Sequence, residues 1–231
     1  KGEQWKTDFE PVGITGTNEG HLEVSSIPPI DLGRRTDYLI RYPHGCIEQT
    51  VSSGFPQLFL SDVMKLSKSQ KQQTERNVKQ TLNKLKSFQL SNGGFSYWPG
   101  RSHSSTWGTN YAGHFMLEAE LKGYSVPPGM KEKWVSYQRK KARKYNKSKI
   151  FSLRRNRKKD LYQAYRLYTL ALANSPELGA MNSLRESGKL SPQAKWKLAG
   201  AYELAGQSEA ANELARNATK SISEYREMGH S

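Results

Sequence analysis

The chain has 231 residues, 35% hydrophobic and 25% charged, which suits a folded core in one large domain or two small ones and is the composition of a globular protein rather than a disordered one. No apolar run reaches the roughly 18 residues of a membrane span, and the opening Lys1-Gly2-Glu3-Gln4-Trp5 lacks the apolar stretch of a secretory signal. The single cysteine excludes an internal disulfide and a multi-thiolate metal site, so Cys46 is either a buried small hydrophobe or a functional sulfur, while the formal charge of +15 raises nucleic acid or an acidic membrane as partners.

Residues 1–28 place Val12, Ile14, Leu22 and Val24 among Gly, Thr and Asn, and predict one or two short strands turning at Asn18-Glu19-Gly20. So few strand residues form no core of their own, so this segment reads as a β strap or the tail of a preceding β-rich domain, ending at Pro28-Pro29. From 29 to 231 the pattern is helical. A short helix is expected at 34–41 and stops at Pro43; a second starts near Cys46, passes Ser52-Ser53 and is interrupted at Phe55-Pro56. Val78, Leu82, Leu85 and Phe88 recur at helical spacing before the stop at Ser91-Asn92-Gly93-Gly94. Thr106 is the expected N-cap of a helix carrying Tyr111, Phe115, Leu117 and Leu121 and ending at Gly123. Helices then follow at 130–146, 159–173, 177–187, 191–205 and 208–222. Their linkers are short, so neighbours run antiparallel and the fold class is all-α, a succession of helical hairpins. The last two helices resemble one tetratricopeptide unit, but the sequence holds no second copy.

The charge is concentrated. Between Lys131 and Lys159 fourteen bases face Glu132 alone, a net of +13, with Trp134, Tyr137, Tyr145 and Phe151 interleaved. That interleaving is found in nucleic-acid binders. It equally describes a helix with a solvated basic face and a buried aromatic side.

Tyr42-Pro43-His44-Gly45-Cys46-Ile47-Glu48-Gln49-Thr50 sets the lone cysteine after a Pro/Gly turn and at the head of a helix. Residues three apart share a helix face, with Cβ atoms about 5 to 6 Å apart, so the sulfur of Cys46 can reach the side-chain carbonyl of Gln49. Loss of ammonia from that pair gives a thioester, an acyl group on a leaving thiol whose ordinary pKa is about 8.5.

Tyr-Pro-x-Gly-Cys-x-Glu-Gln-Thr followed by Phe55-Pro56 resembles the thioester region of bacterial alpha-2-macroglobulins. The resemblance extends through Tyr38-Leu39-Ile40, the stretch Asn92-Gly93-Gly94-Phe95-Ser96-Tyr97-Trp98-Pro99-Gly100, the helix from Tyr111 towards Val126, and Tyr162-Gln163-Ala164-Tyr165-Arg166-Leu167-Tyr168. It covers residues 22 to 226 and implies an α/α toroid of helical hairpins, truncated in this chain, behind a β-rich domain. It also implies a covalent, broad-spectrum endopeptidase inhibitor and not an enzyme. A protease cuts a bait region elsewhere in the full protein, the thioester is exposed, and a nucleophile of the protease is acylated by Gln49 while Cys46 leaves as a thiol. Target proteases and the other domains of the same protein are the implied partners, and the implied location is the periplasm or cell envelope.

In that reading Cys46 and Gln49 carry the thioester, Tyr42 matches the tyrosine that shields it, and Glu48 is a helix-start charge or hydrogen-bond partner. His44 stands where the family pattern has a tyrosine, which puts a titratable imidazole beside the acyl group. His103 and His114 match no acyl-accepting position and read as loop and helix residues. No cofactor, metal ligand set or separate catalytic residue is expected, and nucleic acid is not an expected partner; the basic stretch 131–159 suits acidic proteases or an anionic membrane surface. Two other classes remain at this stage: a toroid-fold hydrolase or transferase using Cys46 as its nucleophile, and a basic helical module binding nucleic acid or membrane surfaces.

Overall fold

The structure is a computed structural model that describes residues 6, 8, 10, 13, 14, 16, 17, 39–145, 153–187 and 190–227, with the side chains of 153–158 and 220–227 left aside. The chain divides into two units, Lys1–Leu32 and Gly33–Ser231. In the first, a turn returns Thr17 to Ile14, whose carbonyl accepts from the Thr17 backbone N–H at 3.2 Å and its hydroxyl at 2.7 Å. The strands expected around Val12, Leu22 and Val24 and the turn at Asn18-Glu19-Gly20 lie outside the described residues, as does most of the helix expected at 34–41.

The second unit is helical, with only isolated bridges and no strands among the described residues. Its elements are α1 (Ile47–Gly54), a 3-10 turn (Pro56–Leu58), α2 (Leu60–Val63), α3 (Lys68–Leu85), α4 (Thr106–Leu121), α5 (Met130–Arg143), α6 (Leu153–Leu172), α7 (Leu178–Arg185), α8 (Pro192–Leu204) and α9 (Ser208–Glu227). Helix starts follow from short polar side chains that satisfy exposed N–H groups. Ser67 accepts from Gln70 N, and Ser191 accepts from Ala194 N with Pro192 in the first turn. The N-cap of α4 is Ser105, not Thr106: its hydroxyl accepts from Gly108 N at 3.0 Å, and Thr106 is already helical. Helix α6 begins at Leu153, six residues before the position expected from the sequence, and α9 runs five residues further, to Glu227. Both differences fall in polar sequence, where no apolar repeat marks the boundary.

The helices form two layers. One contains α1, α4, α6 and α8, each packed on the next; the other contains α3, α5, α7 and α9, packed behind them. Close crossings need small residues. A Cβ on Gly108 would lie 2.6 Å from Ile47 Cγ2, and one on Gly113 would lie 2.1 Å from Trp134 Cε2, so α1, α4 and α5 meet nearly backbone to side chain. One core runs from Ile47 and Val51 through Leu82 and Phe115 to Trp134; a second joins Leu167 and Leu170 to Leu198 and Tyr202.

Between α4, α5 and α6 the core is polar but paired. Gln138 Nε2 donates to Asn110 Oδ1 at 2.6 Å, Arg166 Nε donates to Gln138 Oε1 at 3.0 Å, and Gln163 Nε2 donates to the Ala142 carbonyl at 3.1 Å. Burial depresses the Arg166 guanidinium to about 10, yet it keeps its charge at neutral pH. A network satisfied this way fixes helix register, because any slip leaves buried polar groups unpaired.

In the described part of the basic stretch, most of the bases lie on a solvated face. Trp134 is fully buried and donates to the Thr109 carbonyl at 2.8 Å, Tyr137 is buried, and Tyr145 donates to Asp160 at 2.5 Å; Phe151 lies outside the described residues. Trp134 and Tyr137 are committed to the interior and Tyr145 is partly buried, so these three offer no open stacking platform for bases. Arg139 and Arg143 clasp Glu177 at 2.6 and 2.8 Å, and Lys133, Lys140, Lys141 and Lys144 face solvent. Among the described residues no helix is long and apolar enough to cross a membrane, and no group of three His, Cys, Asp or Glu side chains could hold a metal ion.

Candidate functional site

Residues 41–44 approach α1 as extended chain, pinned along their length. Ser53 Oγ and Gln57 Nε2 donate to the Arg41 carbonyl at 3.1 and 3.0 Å, and Lys84 Nζ donates to that of Pro43 at 2.9 Å. The chain then turns at Gly45, whose φ of +79° favours glycine. A Cβ there would lie 2.0 Å from Gln49 Oε1 and 2.9 Å from Cδ, so a side chain at 45 would push the Gln49 amide aside.

Cys46 follows as the N-cap of α1, only 4% exposed. Its backbone N–H donates to Gln49 Oε1 at 3.0 Å, while its side chain sits over the Gln49 backbone N–H in the reciprocal pattern of a capping box. The i, i+3 spacing thus closes a capping box between the two residues over one helical turn. The Cys46 N–H, at the positive end of a helix, also polarises the carbonyl at which a thiol or an amine would attack. In this structure the pair is a free thiol and a side-chain amide, and Gln49 is exposed.

The other expected site residues gather around this turn in different ways. Tyr42, 49% exposed, packs on the His44 ring at 4.5 Å between centroids, so the two form one aromatic flap on the approach to Cys46. Glu48 accepts from the Tyr97 hydroxyl at 3.2 Å. His103 contacts Ser102 in a loop. His114 lies on α4 against Tyr165 at 2.9 Å and Glu118 at 3.3 Å, within an aromatic row that runs from Phe55 through Tyr111 to Tyr165 and Tyr168, with Lys197 over the last two rings.

Tyr97 is the site residue that sequence reasoning missed. It comes from the loop between α3 and α4, where Asn92 Oδ1 accepts from Gly94 N at 2.9 Å and Thr109 Oγ1 accepts from Phe95 N at 2.9 Å. These bonds fold the loop back so that the Tyr97 carbonyl accepts from Ile47 N at 3.0 Å, at the head of α1. The Cys46 thiol, then loss of water around the ring, then Glu48, act on the Tyr97 hydroxyl and push its pKa up to about 12. The neighbouring Gly93-Gly94 pair is the only local signal, and it marks a tight loop without saying where the loop lands.

Comparison with known proteins gives the family and the fold. Residues 24–167 match the A-macroglobulin TED domain. The alpha-2-macroglobulin of Escherichia coli strain K12 is 33% identical over 124 residues, which is 52% of this chain and 7% of the relative. Among solved structures, Salmonella alpha-2-macroglobulin reacted with methylamine aligns with a TM-score of 0.69 and 26% identity over 83% of this chain and 13% of its own. Escherichia coli alpha-2-macroglobulin activated by porcine elastase aligns with a TM-score of 0.66 and 25% identity over 77% of this chain and 16% of its own. The two helical layers are thus those of the α/α toroid, and the chain spans a small fraction of the relatives it matches.

Proposed function

Since the chain belongs to the A-macroglobulin TED domain family, we propose that it is the reactive domain of a covalent protease trap, with Cys46 and Gln49 joined as an internal thioester. The observation that carries the reading is the reciprocal cap: Gln49 Oε1 lies 3.0 Å from Cys46 N, over a Gly45 whose side chain, if it had one, would push the Gln49 amide aside. That arrangement puts a backbone donor on the Gln49 side-chain oxygen at a helix N-terminus, which supports an acyl group at Cδ joined to Cys46 Sγ. After a protease cuts a bait segment elsewhere in the full protein, a lysine amine of that protease attacks Gln49 Cδ. The Cδ–Sγ bond breaks, an amide forms, and Cys46 is released as a thiol. The chain is consumed once and does not turn over.

Tyr42 and His44 are the cover that keeps water from the carbonyl before activation. We assign residues 29–231 to the toroid and 1–28 to the strap from a preceding domain, with the protein acting in the periplasm or cell envelope. The lysines exposed on α5 give it a face for acidic proteases or anionic lipids. A protease added to the full-length protein is expected to appear in complexes that survive boiling in detergent, and Cys46→Ala is expected to abolish them. Equal yields of such complexes from Cys46→Ala would remove the thioester from the mechanism.

A further inference from the structure

In an acyl transfer of this kind the weakly placed partner is the departing sulfur. The backbone N–H of Cys46 serves the carbonyl oxygen and the Gln49 backbone N–H lies under Sγ, so a side-chain hydroxyl would be a second donor for the charge developing on sulfur. The loop between α3 and α4 delivers one. Tyr97 is anchored by its own carbonyl to Ile47 N, one residue beyond the cysteine, and its hydroxyl is steadied by Glu48, two residues beyond. We propose that Tyr97 is the leaving-group donor of this site, its hydroxyl turning from Glu48 to Cys46 Sγ as the Cδ–Sγ bond breaks. The inference rests on the thioester reading given above.

The step balances without any added reagent. The amine nitrogen forms its bond to Gln49 Cδ, and the electron pair of the breaking Cδ–Sγ bond goes to sulfur. The proton lost from the attacking nitrogen passes to Glu48 or to water, and the thiolate takes one from water. A phenol that keeps its proton up to about 12 does not surrender it to a thiolate, so Tyr97 acts by hydrogen bonding and not by full proton transfer. It remains a donor throughout the neutral range. The same bond would assist the reverse assembly, in which the Cys46 thiol displaces ammonia from Gln49.

The test is Tyr97→Phe in the full-length protein. The variant keeps the ring and the carbonyl that Ile47 N needs, so it removes the hydroxyl and little else. Two quantities are read: the rate at which methylamine releases the Cys46 thiol, and the pH midpoint for alkylation of the freed thiol by iodoacetamide. A hydrogen bond to a charged group converts to about 10- to 100-fold. Tyr97→Phe is therefore expected to slow thiol release by that factor and to move the alkylation midpoint to higher pH, because the thiolate has lost its donor. A merely structural tyrosine would leave the midpoint where it was. Wild-type rate and an unchanged midpoint overturn the proposal while sparing the thioester; if Tyr97→Phe assembles no thioester, the alkylation midpoint alone decides. A wild-type protein that releases no thiol with methylamine fails the thioester reading itself.

Discussion

Gly45→Ala is expected to abolish methylamine uptake at Gln49 while the helical domain stays folded. Two penalties combine. A φ of +79° costs an alanine on the order of 1–2 kcal/mol, which a domain of this size survives. The second penalty is local: the new Cβ would sit 2.0 Å from Gln49 Oε1 and 2.9 Å from Cδ, so the amide must swing away from Cys46. A displacement of about 1 Å at reacting atoms can cost about 100-fold in rate, and here the thioester has to form before it can react. Gly100→Ala is the control. Its φ of +75° carries the same backbone cost, but a Cβ there meets nothing within 4 Å, so uptake should match wild type. Comparable losses in the two variants would mean that backbone strain, and not contact with Gln49, is what Gly45 relieves.

Lowering the pH from 7 to 4 is expected to destabilise the domain through His114. Burial, helped by the charge of Lys197, depresses its imidazole to about 4 from an ordinary 6.5, even though Glu118 at 3.3 Å would favour the charged ring. Desolvation outweighs that attraction because the ring is packed edge-on against Tyr165, Tyr168 and Phe55. Between those two values the unfolded chain binds the proton and the folded chain does not, so stability rises with pH across the window. The contribution is present above about 6.5 and lost as the pH falls through about 4, an effect of about 3 kcal/mol at most. Urea denaturation of the chain at pH 7 and pH 4.5 checks it, with His114→Gln expected to flatten much of the difference. An unchanged pH dependence in His114→Gln would place the sensitivity elsewhere.

The cap between Cys46 and Gln49 was legible in the sequence because both residues lie in one helical turn. Cys46 and Gln49 are three residues apart, Gly45 announces the turn, and local geometry does the rest. Helices were legible wherever an apolar stripe marked them, as along Val78, Leu82 and Leu85, all buried. They were misplaced where polarity hid the boundary, as at the start of α6, or where two residues could both cap, as at Ser105 and Thr106. The interleaved aromatics of the basic stretch had two readings until packing chose for the described ones: Trp134 and Tyr137 are interior, and Lys133, Lys140, Lys141 and Lys144 are left outside.

Tyr97 was illegible for a different reason. Its partners lie 49 to 51 residues away along the chain, and the contact depends on Asn92, Thr109 and Phe95 folding the loop back onto α1. No periodicity encodes such a meeting. Nothing in the sequence signals that Tyr42 and His44 touch; the structure packs their rings together in a tilted contact.

The central claim is a covalent bond between Cys46 Sγ and Gln49 Cδ, and intact mass measures it most directly. Freshly prepared full-length protein is predicted to weigh one ammonia less than its sequence, and methylamine is predicted to add its own mass with release of one free thiol. An unmodified mass, with the Cys46 thiol open to alkylation before any amine is added, would contradict the account.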